Sequence, residues 1–411
     1  MIKIKIFFLI ILLSTIGFSQ LNSVYSRYGI GNIEYSTSAR NFGLGELGTA
    51  LEDKDFINGF NPAAWNRISL TRVEFGSLFS GSFVSDQNSS NYYSGMDFNG
   101  FAMAIPISEK NGIGIVFGLQ PFSKVNYQVN NITGGISADD FNTLYSGEGG
   151  ISKLFFGSSY RLPFDLSIGA ELDYYFGNLV YKSEITFPNS SNTSALFEKS
   201  YKTKGLGGTL GLITPDLNQF FKLDDVKSIK FGIAYSFTSK MNTDSAYFTT
   251  TSYTKDTTAQ GLTNSEIPSR LNLGLVINLN KYSSINVDYL IQRWSKYSFG
   301  DVLGPNLQDV NKVSAGFEFR VNPDGISFTD LLIWRFGLSY EQTPFRINGN
   351  SISQFSASAG VSLPMGRENT IDLGIRYAMR GLKENGLVKE NILGLNVSLS
   401  FGELWFLRQD R

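Results

Sequence analysis

The chain has 411 residues, a net charge of −1, no Cys and no His, against 34 Phe, 20 Tyr and 42 Gly. Without Cys there is no disulfide framework and no thiolate zinc site; without His there is no Ser-His-Asp or Cys-His nucleophile system and no imidazole metal ligand. The near-zero charge offers no extended basic footprint for nucleic acid, and the composition points to no enzyme, metal or cofactor.

Residues 1–19 read as a signal peptide. Lys3 and Lys5 form a basic start, Ile6 to Leu13 is an apolar run, and Gly17 and Ser19 supply small residues before a cleavage that leaves Gln20 first. That apolar run is too short to span roughly 30 Å of hydrocarbon. Residues 20–67 follow without sustained alternation. They hold the compact stretch NGFNPAAW at 58–65, rich in Gly, Asn, Pro and Ala, which suits a plug better than a strand.

From residue 68 to 411 the dominant signal is alternation at period two. Leu166, Ile168, Ala170, Leu172 and Tyr174 alternate with Ser167, Gly169, Glu171 and Asp173; Ile285, Val287, Tyr289 and Ile291 alternate with Asn286, Asp288 and Leu290. One face is apolar and the other polar. A soluble sandwich and an outer-membrane barrel both give this pattern. The segments run about 10 to 14 residues, longer than the roughly 5 to 6 of soluble strands. Tyr93, Tyr127, Tyr160, Trp294, Tyr297, Tyr340 and Tyr377 sit at segment ends, as an interfacial girdle requires. The fold class expected is therefore all-β, a transmembrane barrel.

The strand cores fall at 70–84, 93–106, 111–129, 143–160, 164–178, 201–214, 227–240 and 266–279, then at 283–297, 309–321, 331–342, 351–364, 368–381 and 388–402. That is fourteen antiparallel strands, with both barrel ends in the periplasm. The polar connections 179–200 and 241–265 then lie outside the cell, while PDLNQFFKLDDV at 215–226 is longer than a periplasmic turn needs to be. In the second strand Phe98 and Ala102 on one face compete with Phe101 and Met103 on the other, leaving its lumen side unassigned. Phe401 ends the last strand, and Trp405–Phe406 is placed at the periplasmic interface.

The run ARNFGLGELGTALEDKDFINGFNPAAW, at 39–65, resembles the N-terminal hatch of the FadL-type transporters of hydrophobic compounds in Gram-negative outer membranes. The matching positions are Gly43, Gly45, Gly48, Ala50, Asp55, Asn61, Pro62 and Ala63. The resemblance implies a 14-stranded barrel with a hatch at 20–67, a third strand interrupted to form a lateral window, and a small hydrophobic ligand as partner beside the membrane lipid. The third strand, NGIGIVFGLQPFSKVNYQV, carries Gly118, Gln120 and Pro121 at its middle. Proline donates nothing to a ladder and glycine weakens one, so a break or a bulge belongs there on physical grounds too.

Within the hatch, Asn61 and Pro62 read as a hinge or as a rigid turn. Asp55 reads as an acceptor for Arg or backbone hydrogen bonds, or as the cap of a short helix at 54–58. Phe56, Ile57, Phe60 and Trp65 are ligand contacts or plug packing. The lumen carboxylates and arginines, Glu171, Asp173, Asp288, Glu318, Arg320, Arg335, Glu341, Asp372 and Arg376, read as a ligand-facing ladder or as ion pairs tying plug to wall. The family's apolar extracellular groove is not matched, since 179–200 and 241–265 are mostly Ser, Thr, Asn and Lys. The expectation is a monomeric channel for passive uptake of small hydrophobic molecules. The alternative, suggested by the polar loops and by resemblance to the PorV-like branch, is a non-transporting barrel that docks a type 9 secretion or surface-assembly partner.

Overall fold

The computed structural model describes residues 23–35, 38–133, 141–187, 193–251, 254–299, 302–303, 307–366, 368–384 and 386–403. The expected signal peptide and the Trp405–Phe406 pair lie outside the described residues. A 3-10 segment (Val24–Arg27) comes first, then the two-residue strand β1 (Asn32–Ile33), the five-residue helix α1 (Ala39–Gly43) and a second 3-10 segment at Pro62–Arg67. The wall opens with β2 (Thr71–Ser85), β3 (Ser90–Ser108), β4 (Ile113–Thr133), β5 (Phe141–Arg161), β6 (Ser167–Thr186) and β7 (Ala195–Ile213). β8 (Ser228–Thr238) and β9 (Met241–Thr251) follow one another along β7, and β10 (Lys255–Glu266) and β11 (Arg270–Asn278) return along them. β12 (Ser283–Gln292), the small β13 (Ser298–Phe299) and β14 (Val302–Leu303), β15 (Val310–Arg320), β16 (Ile333–Ile347), β17 (Asn350–Pro364), β18 (Thr370–Arg380) and β19 (Lys389–Glu403) complete the chain.

β19 pairs antiparallel with β2 from Lys389↔Ser85 to Glu403↔Thr71, which closes the sheet. With each interrupted strand taken once, the described residues form a closed barrel of fourteen antiparallel strands. Closure leaves no sheet edge around the circumference at the turn end, the requirement for a sheet in lipid. Phe75, Leu172, Phe336, Leu338 and Leu395 are exposed on the outer face, whereas Glu171, Asp288, Glu318 and Asp372 are buried inside. The alternation thus sorts lipid-facing from lumen-facing residues.

Two sequence expectations change. The stretch 241–265 is not a loop: β9 and β10 form a hairpin that continues the wall, and β9 pairs with Ala195–Lys204 of β7. Its Thr- and Asn-rich faces show no apolar alternation, because at this height neither face meets hydrocarbon. Likewise β6 and β7 run to Thr186 and from Ala195, so most of 179–200 is strand. The mixed faces of β3 have a specific cause. The β2–β3 register shifts between Gly76↔Gly100 and Ser77↔Phe98, leaving Asn99 as a bulge. Below the bulge Phe101 faces Phe75 on the outside, with ring centroids 5.0 Å apart; above it Met96 pairs with Phe79 and both Met96 and Phe98 are exposed. A one-residue insertion flips every later side chain to the other face.

Candidate functional site: the plug and the seam in the wall

Residues 23–35 and 38–68 run inside the barrel from its loop end to its short-turn end, and not only at the periplasmic side. At the loop end of the barrel, Ser23 Oγ donates to the Glu390 carboxylate at 2.8 Å, and the Tyr25 hydroxyl bonds the Val388 carbonyl. Tyr25 packs with Phe345, Ile347, Ile352 and Leu387. At the other end, the Pro62–Arg67 segment lies against β5, β6 and β7, with Trp65 stacked on Phe155 at 6.5 Å.

The middle of the plug is held by charge. Arg40 reaches Asp53 at 2.7 Å and Glu318 at 3.1 Å; Arg320 reaches the same two carboxylates at 2.7 and 3.1 Å; Arg335 joins Glu318 at 2.9 Å to Asp372 at 3.2 Å. Three guanidinium groups thus meet three carboxylates, the balance that buried charges require. A second knot joins Glu46 to Lys312 at 2.6 Å and to Arg376. Burial alone would raise the Glu46 carboxyl, but Arg376 and Lys312 override it and hold it at about 2. Burial opposes ionisation of Asp53 in the same way, and Arg40 with Arg320 holds it well below the usual carboxylate range. A third tie is Asp288, whose Oδ2 accepts from the Gly48 and Thr49 amides at 2.9 and 2.8 Å and from the Thr49 hydroxyl at 2.7 Å.

The motif residues serve close approach. Gly43 lies against Gly360 of β17, and Gly45, at φ +84°, follows Leu44 over Gly337 of β16. A Cβ on Gly337 would come within 2.2 Å of the Gly45 nitrogen and the Leu44 carbonyl carbon, so the wall has no side chain there. Asn61 caps the 3-10 segment, its Oδ1 accepting from Ala63 N at 3.0 Å. Its Nδ2 donates to Thr49 O at 2.7 Å and to the wall carbonyls of Leu212 at 3.2 Å and Ile233 at 3.3 Å. Pro62 begins that segment, where an amide hydrogen has no helical partner. Residues 54–58 form no helix; Asp55 pairs with Arg72 at 2.9 Å. Ala50 and Ala63 are buried among small wall residues.

Phe56, Ile57, Phe60 and Trp65 are all buried. Ile57 and Trp65 share a cluster with Ile68, Ala104, Val116 and Phe155, while the Arg40 guanidinium lies 4.9 Å from the Phe56 ring centroid. The sequence reading missed Arg40, Glu46, Asp53 and Asn58. Asn58 Nδ2 donates to the carbonyls of Gly48 at 2.6 Å and Leu51 at 2.8 Å, so NGFNPAAW carries two staples, Asn58 and Asn61. A charge inside a small-residue run was the available signal, since such a charge must find a buried partner.

The wall itself has a seam. The β3–β4 ladder runs from Ser108↔Ile113 to Phe101↔Leu119 and stops there; above it β3 continues on β2 and β4 continues on β5 as far as Thr133↔Phe141. Gly118 stands where the strands part, because a Cβ would meet the Phe101 carbonyl oxygen at 2.3 Å. Gln120 and Pro121 follow, paired to Lys153 and Ser152 of β5. A register shift between Pro121 and Ser123 then turns Phe122 inward onto Tyr175, 5.0 Å away and edge-on. β4 is one continuous strand through this region, not an interrupted one. From inside, β1 pairs Asn32↔Lys124 and Ile33↔Ser123, and Glu34 N donates to Phe122 O at 3.0 Å. Lys124 bridges the seam to Asp97 at 3.2 Å. Behind it Ile30, Phe122, Val125, Tyr127, Ile151, Met241 and Trp294 form part of a large apolar cluster.

Solved structures share this architecture. The toluene transporter TbuX of Ralstonia pickettii is 15% identical, with a TM-score of 0.60 over 90% of this chain and 99% of that one. The Pseudomonas putida toluene transporter TodX is 17% identical, with a TM-score of 0.59 over 90% and 98%. A Pseudomonas aeruginosa FadL homologue is 13% identical, with a TM-score of 0.58 over 90% and 98%. At these identities the likeness is one of fold: an outer-membrane barrel of the FadL type. No curated protein matches the chain. The family model named BamG matches residues 1–410, and the chain belongs to the BamG family.

Proposed function

We propose that this barrel works closed, as a membrane-embedded docking subunit for a secretion or surface-assembly partner. The filled lumen carries this reading. Two cavities between plug and wall measure about 80 and 10 Å³ and are lined by Glu46, Glu341, Arg376, Asp288 and Lys312 beside apolar residues, and a third of about 930 Å³, open at the short-turn end, is lined by eight Lys or Arg and four Asp or Glu side chains. A hydrophobic ligand of drug size takes roughly 300 Å³ or more of mostly apolar space. The β9–β10 hairpin adds a docking surface at the loop end of the wall, since β10 is exposed along most of its length beside a half-buried β9. A second reading, uptake of small hydrophobic molecules with lateral exit at Gly118–Pro121, is favoured by the seam and the apolar cluster behind it.

One disulfide separates the two. Ala39 N donates to Ser398 Oγ at 3.1 Å, so Ala39→Cys with Ser398→Cys ties the plug to β19 in a chain that has no other Cys. A docking subunit keeps its partner-dependent surface proteins when locked and loses them when residues 243–263 of the hairpin are deleted. A locked barrel that instead stops toluene uptake, with the surface proteome intact in the deletion strain, overturns docking in favour of the channel.

A further inference from the structure

We infer that Lys153 and Asp173 are set to join as an intramolecular isopeptide bond between adjacent wall strands, with Glu171 moving the protons. The three side chains meet on the inner face of β5 and β6. Lys153 Nζ lies 2.5 Å from Glu171 Oε1 and 3.3 Å from Asp173 Oδ1, and none of the three side chains is more than 5% exposed. Unlike the knot around Arg40, this cluster does not balance. One ammonium faces two carboxylates, and among the described residues no other Lys or Arg forms an ion pair with either acid.

The strand register brings the groups together. Lys153 stands opposite Tyr175 and Asp173 stands opposite Phe155, so the lysine reaches its acid diagonally across the ladder. The surroundings are apolar. Phe155, Tyr175 and Phe122 are all buried, the Phe122 ring lies edge-on to Tyr175 at 5.0 Å, and the ammonium lies 5.2 Å from the Phe155 centroid. Burial of this kind penalises ions and favours the neutral product of their condensation. The two oxygens of Asp173 also differ. Oδ2 accepts from the Tyr175 hydroxyl at 3.3 Å, whereas Oδ1, which faces the lysine, has no hydrogen-bond partner.

The step balances with nothing added. Glu171 takes one proton from the ammonium and hands it to Asp173 Oδ1, leaving an amine beside a neutral carboxyl group. The amine nitrogen attacks the carboxyl carbon, and the Tyr175 hydroxyl steadies the negative charge that develops on Oδ2. Glu171 then carries a second proton from nitrogen to Oδ1, the carbon–Oδ1 bond breaks, and water leaves. An ammonium and a carboxylate become one amide and one water, with no oxidation or reduction, and Glu171 ends as it began. Fixed proximity replaces the activation that free amines and acids need. Glu171 is nearer to the lysine, but its Oε1 already accepts the lysine's hydrogen bond, the geometry of proton transfer. The finished bond ties β5 to β6 beside Phe155, on which Trp65 of the plug stacks.

Fragment mass spectrometry of the full chain, purified from the membrane, denatured and digested, tests this. The expected result is the Lys153 fragment joined to the Asp173 fragment, lighter than their sum by one water. Glu171→Gln lowers the yield of that link at least about ten-fold. Asp173→Asn still links, but loses ammonia in place of water, a signature that an ion pair alone cannot give. Separate fragments of full mass in the parent chain overturn the inference, as does a link to Glu171 or a link whose yield ignores Glu171→Gln. If Glu171→Gln does not reach the membrane, the parent and Asp173→Asn masses decide.

Discussion

Arg40→Ala isolates what the buried ion pairs do for the plug. Arg40 is within 2.7 Å of Asp53 and 3.1 Å of Glu318, and its side chain is 5% exposed. Its removal leaves three carboxylates against two guanidinium groups, with Asp53 and Glu318 side chains only 7% and 5% exposed beside the open cavity of the short-turn end. Breaking a buried pair by deleting one partner costs about 3–5 kcal/mol. The lower end applies, because Arg320 still reaches Asp53 at 2.7 Å and Arg335 still reaches Glu318 at 2.9 Å. About 3 kcal/mol is on the order of a hundred-fold in the population of plug-released states. Hydrogen exchange of residues 39–51 in detergent reads that population directly, and vancomycin sensitivity reads it in cells. Arg40→Met combined with Asp53→Asn restores neutrality and should recover most of the protection. Exchange in Arg40→Ala within about three-fold of the parent, or a double variant as loose as the single, refutes charge balance as the plug's anchor.

Further outcomes follow from the same geometry. Glu46 is held at about 2 and Asp53 is depressed too. A lowered folded-state pKa contributes stability above the unfolded value of about 4.5 and loses it as pH falls toward about 2; protease cutting in the plug should appear over that window and not at pH 6 to 8. Gly337→Val drives a side chain into the Leu44–Gly45 backbone; overpacking of about 1–3 kcal/mol or more should lower the heat-modifiability midpoint on gels, without loss of the barrel band. Deleting Asn99 removes the bulge and joins Phe98 directly to Gly100, so Met96 and Phe98 keep their lipid-facing side in a regular β2–β3 ladder; membrane-inserted protein should stay near the parental level, and insertion at background would show that the bulge does more than restore the register.

Much of the barrel was legible because lipid and lumen impose opposite demands on alternate residues, and Leu166 to Tyr174 shows both at once. β9 and β10 were read as loop for the complementary reason. Above the membrane no face needs apolar residues, so DSAYFTTTSYTK keeps its strand propensity but loses its period. β3 was ambiguous because one bulged Asn reverses the parity between Phe98 and Phe101, and a bulge has no pattern of its own. In the plug, the small-residue motif marked where chain and wall touch. The charges that hold it did not stand out, since Arg40 and Glu318 are 278 positions apart and nothing local ties one to the other.

A plug that runs from Ser23 beside Glu390 down to Trp65 beside Phe155 also constrains how the molecule can come into being. Residues 23–35 precede every wall strand in the chain, yet they end at the far mouth of the finished cylinder, bonded to strands β4 and β19 from opposite ends of the sequence. Threading such a segment through a closed cylinder would drag Arg40, Glu46 and Asp53 past an apolar, aromatic upper lumen. Rolling the sheet around a segment already laid on β4 avoids that passage. The N-terminal strap is then a mandrel, and the β19–β2 zipper that encircles it is the last ladder to form.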